Sequence, residues 1–204
     1  MTIDAPSFFE LSKSHVLDHW GDYGSTLCNG MLRTGEGGEQ RLDRTGPFVP
    51  PISFPPYSGV VVVTSEARQK LEASGMSGVG EFRPLLLGKI AFVDWQKWDT
   101  SRKLDGDLLP FNGEPEEYIL HNPHDAETAA QLGQLWTWHP LRVGTVSRLE
   151  DAMQLEGIMG TYDVFRLCDD WWNDIIVSEN GMRCVRGLLG DWVTFKRIEN
   201  AIVS

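Results

Sequence analysis

The chain has 204 residues, of which 41% are hydrophobic and 23% charged, a balance that predicts a folded globular protein and excludes wholesale disorder. Its formal net charge of −11 repels phosphate backbones and anionic lipid surfaces, so the composition argues against nucleic-acid and membrane-surface binding. The length allows one domain or two small ones, and we expect a single domain over residues 1–204.

The beginning of the chain and its cysteines indicate a cytoplasmic protein. The opening MTIDAPSFFELSKSH lacks the basic and apolar segments of a secretion signal, and no run approaches the ~18 apolar residues of a membrane span. The three cysteines, Cys28, Cys168 and Cys184, include no C-x-x-C pair. This usage is typical of reduced, mostly buried thiols in a cytosol.

The first third of the chain contains a segment rich in glycine and proline, over residues 35–58. Gly35, Gly37 and Gly38 mark a loop, and no Gly-Lys-Ser/Thr follows it, so it is not a phosphate-binding loop. The prolines of PFVPPISFPPYSG argue against a central strand or a helix. We interpret this segment as an extended connector on the core, with a polyproline ligand as the alternative.

A pattern of strand, Ser-Glu, amphipathic helix, glycine and short strand occurs twice, at about 59–85 and about 174–198. In the first copy, residues 60–63 predict a buried strand, Ser65 a helix N-cap and Gly75 the end of the helix. In the second copy, residues 175–177 predict the strand, Ser178 the cap and Gly190 the end of the helix. Between the copies we expect a separate strand in GKIAFVDWQKWDTS, a helix over 126–135 and a short aromatic strand.

These elements predict an α+β fold, a single domain built on two similar strand-helix-strand units with a mixed sheet. The pattern does not decide whether the two strands of one unit are neighbours. Neither copy contains a set of residues with chemistry of its own, so we interpret the repeat as scaffold.

Acidic residues are concentrated in two blocks. Residues 104–141 contain seven acids and no Lys or Arg, and residues 149–182 contain eight acids against Arg166 alone. The stretch CDDWWND sets two tryptophans among three aspartates, a mixture typical of a binding hot spot for a basic surface. A solvated face and core packing of the tryptophans are the alternatives. The predicted partner-binding residues are Asp169, Asp170, Trp171, Trp172, Asp174, Glu114, Glu116 and Glu117.

The histidines suggest an alternative function, that of a small metal-dependent enzyme. His15 and His19 would share a face if their stretch were helical, at the spacing of two metal ligands, and His121 and His124 could complete a site. The glutamate of H-E-x-x-H is missing, and no G-x-S-x-G elbow occurs. A small metal-dependent enzyme and a structural or adaptor module therefore stay open as alternatives. We expect no catalytic residue, no cofactor and no metal, and the pattern predicts no oligomeric state.

Several segments, in order along the chain, resemble the double-CXXCG motif family of small bacterial proteins, which are taken to be immunity proteins of polymorphic toxin systems. They are FFEL, CNG from Cys28, RTGPFVPP, GVVVVTSEARQKLEASGMSGV and YDVFRLCDDWWNDIIVSENGMRCVRGLLGDWVTF. The chain lacks both Cys-x-x-Cys-Gly knuckles of that family and keeps only LCNG around Cys28, so the resemblance does not imply zinc.

The resemblance implies a cytoplasmic protein that binds a cognate toxin and blocks it. An acidic surface fits this role, because toxins that attack nucleic acid present basic clefts. We therefore expect an immunity-type binding protein with an acidic, Trp-containing surface, a basic toxin domain as its partner, and neither nucleic acid nor membrane as a ligand.

Overall fold

The computed structural model describes residues 7–35, 37–102, 114–149, 152–157, 162–168, 174–198 and 201–203. The strands are β1 (Phe8–Lys13), β2 (Met31–Thr34), β3 (Gln40–Gly46), β4 (Ile52–Ser53), β5 (Val61–Thr64), β6 (Glu81–Phe92), β7 (Leu135–His139), β8 (Thr145–Leu149), β9 (Ala152–Glu156), β10 (Val164–Arg166), β11 (Ile175–Ser178), β12 (Val193–Arg197) and β13 (Ala201–Val203). The α-helices are α1 (Gly21–Asn29), α2 (Ser65–Glu72), α3 (Pro115–His121), α4 (Ala126–Leu132) and α5 (Glu179–Leu189). Short 3₁₀ helices cover Asp18–Trp20, Trp95–Lys97 and Gly190–Trp192.

The predicted α+β class is confirmed, and the chain divides into two compact units. The first unit comprises the described parts of Met1–Ser14, Ala67–Phe82 and Trp138–Ser204, and the second comprises those of His15–Glu66 and Arg83–Thr137. None of the helices in the described part of the chain combines the length and apolarity needed to cross a membrane. The single-domain assignment stays a prediction, and each unit is described separately.

The first unit contains an antiparallel sheet in the order β10-β11-β1-β12, and a smaller sheet in the order β13-β9-β8. Helix α5 packs against β11, β1 and β12. Its Val185 and Leu189 are buried, as a helix with one apolar stripe requires. Buried side chains form an apolar cluster in this unit, namely Phe8, Leu155, Phe165, Leu167, Ile176 and Ile198.

Asp163 is a hydrogen-bonding centre of the first unit. Its carboxylate accepts hydrogen bonds from Ser77 N (2.9 Å), Ser77 Oγ (3.0 Å) and Asn180 Nδ2 (2.7 Å), and a longer one from Ser178 Oγ (3.4 Å). A Cβ on Gly181 would lie 1.9 Å from the Asp163 carbonyl oxygen, so glycine is needed for this approach. The turn after α2 and the beginning of α5 are thus tied to the same residue.

The second unit is built on a mixed sheet in the order β2-β3-β6-β7-β5-β4. β2 and β3 are antiparallel, whereas β3 and β6 are parallel. Leu42, Val62, Leu85 and Leu135 form a buried apolar cluster on these strands. Helices α1, α3 and α4 all pack against β3, and this arrangement places the beginnings of α1 and α3 in the same unit.

The two copies of the repeat share a topology but belong to different sheets. In each copy one strand lies between the two strands of the motif, β7 between β5 and β6, and β1 between β11 and β12. Ser178 is the N-cap of α5 as predicted, since its Oγ accepts a hydrogen bond from Gly181 N (3.0 Å). Ser65 is not a cap, because its Oγ donates to Gln134 O (2.8 Å) and accepts from Trp136 Nε1 (3.0 Å).

Other local predictions need correction. The predicted separate strand around Ile90 is the second half of β6, a single twelve-residue strand. The strand continues through Gly88, where a Cβ would lie 2.0 Å from Asp43 Oδ1, so this glycine permits a close contact with the neighbouring strand and does not end the strand. α2 ends at Glu72 and not at Gly75 as predicted, and α4 ends at Leu132 and not at residue 135 as predicted. The prediction that 35–58 is only a connector is wrong, because this segment contains β3, a strand inside the six-stranded sheet, as well as the short strand β4.

Candidate partner-binding site

The second unit contains an acidic cavity of about 140 Å³. Its walls come from α1, from the beginning of α3 and from the proline-rich loop before β5. Three carboxylates, two hydroxyls, two proline rings and one tyrosine line it: Asp22, Ser25, Thr26, Pro56, Tyr57, Glu114, Pro115 and Glu116. None of these described lining residues is basic, so the cavity is suited to a cation.

The fold explains why three carboxylates can gather at this cavity. Asp22 lies in the first turn of α1, Glu116 lies in the first turn of α3, and Glu114 occupies the N-cap position of α3. Negative charge is favoured at the beginning of a helix, because unpaired N–H groups and the helix dipole give that end partial positive charge. Pro115 suits the first helical position, where its missing N–H costs nothing.

Tyr57 stands at the edge of the cavity and is fully exposed, with a relative accessibility of 101%. Its φ of +58° is left-handed, which is uncommon for a residue with a side chain. Ser58 Oγ holds the loop by donating to Pro55 O (2.7 Å) and accepting from Val60 N (3.1 Å). The ring is therefore presented to solvent by a constrained loop, as expected of a binding residue.

The walls of the cavity are connected by Asn29 at the end of α1. Phe54 N donates to Asn29 Oδ1 (2.8 Å), while Asn29 Nδ2 donates to Ser25 O (3.0 Å). Asn29 is buried, so these two bonds are partly shielded from water. The loop that presents Tyr57 is thus anchored to the helix that carries Asp22.

The cavity can hold one cationic side chain. In another protein an apolar cavity of about 150 Å³ binds benzene, so a volume of this size accommodates a group of side-chain dimensions. A guanidinium there would reach carboxylates of Asp22, Glu114 and Glu116 through charge-assisted hydrogen bonds. The ring of Tyr57 offers a face for a cation–π contact.

The predicted partner-binding residues fall into three groups. Glu114 and Glu116 line the cavity, whereas Glu117 is exposed on the same helix outside it. Asp174 belongs to the first unit. Asp169, Asp170, Trp171 and Trp172 lie outside the described residues.

Asp174 lies in a different electrostatic setting from the cavity residues. Although the residue is exposed, desolvation of its carboxyl raises the pKa of Asp174, against the opposing effect of Arg166 and Lys196. Burial also raises the pKa of Glu10 on β1, and the charge of Asp174 adds to this rise. These two carboxylates therefore interact with each other and with basic side chains of the protein itself.

The histidines do not form the arrangement that the metal hypothesis requires. The 3₁₀ helix begins at Asp18, so His15 and His19 do not share a helical face, and His15 Nδ1 contacts the Asp18 carboxylate. His121 Nδ1 bonds to Glu117 O (2.9 Å), and His124 Nδ1 accepts from Ile90 N (3.1 Å). Among the described residues, no three His, Cys, Asp or Glu side chains gather to hold a metal ion.

The tryptophans outside CDDWWND have structural contacts. Trp138 is buried, stacks on Phe82 with ring centroids 6.1 Å apart, and donates to Val79 O (2.8 Å). Trp95 is buried and packs edge-to-face on Phe48. Trp136 donates to Ser65 Oγ, and Trp98 lies against Trp20. Trp95, Trp98, Trp136 and Trp138 are therefore used in packing and hydrogen bonding within the fold.

The sequence did not predict Asp22 or Tyr57 as site residues. Asp22 is separated from Glu114 by most of the second unit, and no periodic pattern connects them. The PPYSG turn was the available signal for Tyr57, since an aromatic residue between prolines and glycine in a turn is poorly placed for the core.

No protein-family model matches this chain, and no curated protein matches it significantly.

Proposed function

We propose that this protein is a cytoplasmic, immunity-type binding protein that neutralises a cognate bacterial toxin by direct binding. The observation that carries the proposal is the acidic cavity, in which three carboxylates lie beside a fully exposed tyrosine and no base is among the described lining residues. The segments that resemble the double-CXXCG motif family support the same role.

Recognition would centre on one basic side chain of the toxin, arginine above all. Its guanidinium enters the cavity, donates hydrogen bonds to the carboxylates of Glu114, Glu116 and Asp22, and packs against the Tyr57 ring. Tyrosine and arginine are enriched among the few residues that dominate binding energy at interfaces. The constrained backbone of Tyr57 reduces the entropy lost on binding, because its loop is already ordered.

Neutralisation would follow from occupation of a basic cleft. A toxin that acts on nucleic acid needs positive charge where the phosphate backbone binds, and an acidic protein placed there excludes the substrate. The net charge of −11 accelerates association with such a surface, an effect that weakens as salt screens it.

Co-expression with any toxin domain encoded beside this protein tests the proposal. The wild type is expected to restore growth and to co-purify with the toxin, whereas a Glu114→Lys, Glu116→Lys variant loses both properties. Glu117→Lys is the control for a single charge reversal on α3 outside the cavity lining.

Two outcomes of the co-expression experiment would contradict different parts of the proposal. If both lysine variants protect as well as the wild type, the cavity is not the binding site. If the wild type itself neither binds nor neutralises any toxin encoded beside it, the immunity function is wrong.

A further inference from the structure

Thr26 contributes a buried hydroxyl to the acidic cavity of the second unit. It lies on α1 one helical turn after Asp22, and both residues line the cavity. Thr26 is 2% exposed, and its hydroxyl makes no hydrogen bond to another residue in the part of the chain that the structure describes. A buried hydroxyl is stabilised by a hydrogen-bond partner, and a molecule placed in the cavity can supply one.

The hydrogen-bond acceptors of the cavity fit a guanidinium better than an ammonium. The carboxylates of Asp22, Glu114 and Glu116 line the cavity together with the Thr26 hydroxyl. An ammonium group carries its few donors on one nitrogen, whereas a guanidinium spreads a larger set of N–H donors around a plane. Acceptors that come from two helices can therefore be satisfied at the same time by one guanidinium.

The remaining walls of the cavity suit the apolar parts of such a ligand. Pro56, Pro115 and Tyr57 each contribute a ring to the lining. A guanidinium is weakly hydrated and stacks on aromatic faces, and an alkyl stem packs against apolar surface. The lining therefore matches a planar cation carried on an alkyl chain.

We propose that the cavity is a binding site for free alkylguanidinium compounds, in which Thr26 accepts a hydrogen bond beside the three carboxylates. The inference rests on the recognition of arginine in the proposed function, but it assigns the affinity to the guanidinium itself, without the rest of a toxin. Asn29 already connects the walls, because Phe54 N donates to its Oδ1 (2.8 Å) and its Nδ2 donates to Ser25 O (3.0 Å). A connected site loses little entropy when the ligand binds.

Calorimetric titration of the wild type with two uncharged-backbone probes tests the proposal. N-acetyl-arginine amide and N-acetyl-lysine amide carry the same single positive charge, so their comparison isolates the guanidinium. We expect the arginine amide to bind with a dissociation constant of about 1 mM, and the lysine amide to bind about 10-fold more weakly. Equal affinities of the two probes, or no binding of the arginine amide at tens of millimolar, would overturn the proposal.

Variants then locate the bound amide. Thr26→Val keeps the shape of the side chain but removes the hydroxyl, and it should weaken binding of the arginine amide by about 10-fold, whereas Thr26→Ser should restore it. Glu114→Gln with Glu116→Gln should weaken binding by more than about 10-fold. Glu10→Gln with Asp174→Asn removes the same charge from the first unit and should leave the affinity unchanged. Unchanged binding by the Thr26 and Glu114/Glu116 variants would overturn the assignment to this cavity.

The probes also separate this inference from the proposed function. Binding of the arginine amide by a chain that neutralises no toxin would contradict the immunity function and support the guanidinium site. Neutralisation of a toxin by a chain that does not bind the amide would overturn the guanidinium site and leave the immunity function supported.

Discussion

Two acidic regions of this molecule use their carboxylates in opposite ways. In the second unit, Asp22, Glu114 and Glu116 surround a cavity whose described lining contains no base. In the first unit, Glu10 and Asp174 interact with Lys196, and Asp174 also interacts with Arg166. Glu114 and Glu116 belong to the acidic block over residues 104–141, and Asp174 belongs to the one over residues 149–182; the two blocks have a similar density of acids. The comparison teaches that an acidic run becomes a candidate binding surface only where the fold leaves its charges uncompensated.

Different local structures produce this difference. The cavity carboxylates lie at the beginnings of α1 and α3, where the helix dipole stabilises them without neutralising their charge. Glu10 and Asp174 lie on and beside sheet strands, where desolvation raises their pKa values. Substitutions in the cavity should therefore change binding with little effect on folding, and substitutions in the first unit should change folding with little effect on binding.

The largest effect on folding is expected at Asp163. Replacing it by alanine leaves the hydrogen-bond donors of Ser77 and Asn180 without their acceptor, which should lower the free energy of unfolding by about 2 kcal/mol. Urea unfolding measures this loss, with Asp191→Ala as the control. Asp191 is an exposed carboxylate of the same unit, where a change within about 0.5 kcal/mol is expected.

The pH dependence of the Asp163 effect has a defined sign. Burial opposes ionisation of this carboxyl, but hydrogen bonds from Asn180, Ser77 and Ser178 outweigh it and lower the pKa of Asp163. The stabilisation is therefore complete above the unfolded-state pKa of about 4 and is lost as the pH falls through the lower folded-state value. A destabilisation by Asp163→Ala that does not shrink in acid would contradict this assignment.

Tyr57 should show opposite effects on binding and folding. Replacing it by glycine removes the ring and should weaken toxin binding by about 2 kcal/mol, or about 30-fold. The same change relieves a left-handed backbone, so Tyr57→Gly should be about 1 kcal/mol more stable than Tyr57→Ala. Calorimetric titration and thermal unfolding of the two variants separate the effects, and equal affinities of wild type and variants would remove Tyr57 from the site.

The smallest expected effect is a gain in stability at Glu10. The pKa of Glu10 is raised in the folded protein, so its ionised form disfavours folding above that pKa and has no such effect below the unfolded value. Glu10→Gln should therefore slightly increase the free energy of unfolding at neutral pH, by less than about 0.5 kcal/mol because solvent screens this partly exposed carboxyl, and the gain should vanish below about pH 4. A loss of stability at neutral pH would mean that Lys196 and Ser12 outweigh desolvation.

The fold could be predicted from the sequence where local signals agree. The second copy of the repeat is such a case, since Ser178 caps α5 and Gly190, at φ +60°, ends it. The same Ser-Glu signal was misleading in the first copy, because Trp136 and Gln134, distant in sequence, provide other partners for Ser65. Helices α1 and α3 had no clear apolar period, and their packing against β3 stabilises them.

Only part of the candidate site could be predicted from the sequence, because its residues come from separate segments of the chain. Glu114 and Glu116 were found because they belong to a run of acids without a base. Asp22 and Tyr57 come from separate segments of the chain, and only the folded unit brings them together with α3. The position of Tyr57 depends on a left-handed backbone and a Ser58 turn, neither of which is evident from composition.

The most direct test of the central claim is a calorimetric titration of a toxin domain that the wild type binds against variants of the two acidic regions. Glu114→Gln with Glu116→Gln should lower the affinity by about 100-fold, whereas Glu10→Gln with Asp174→Asn should change it by less than about 3-fold. Both pairs remove two carboxylates, so their effects on net charge are matched. Equal losses, or a larger loss from the Glu10 and Asp174 pair, would contradict the assignment of binding to the cavity.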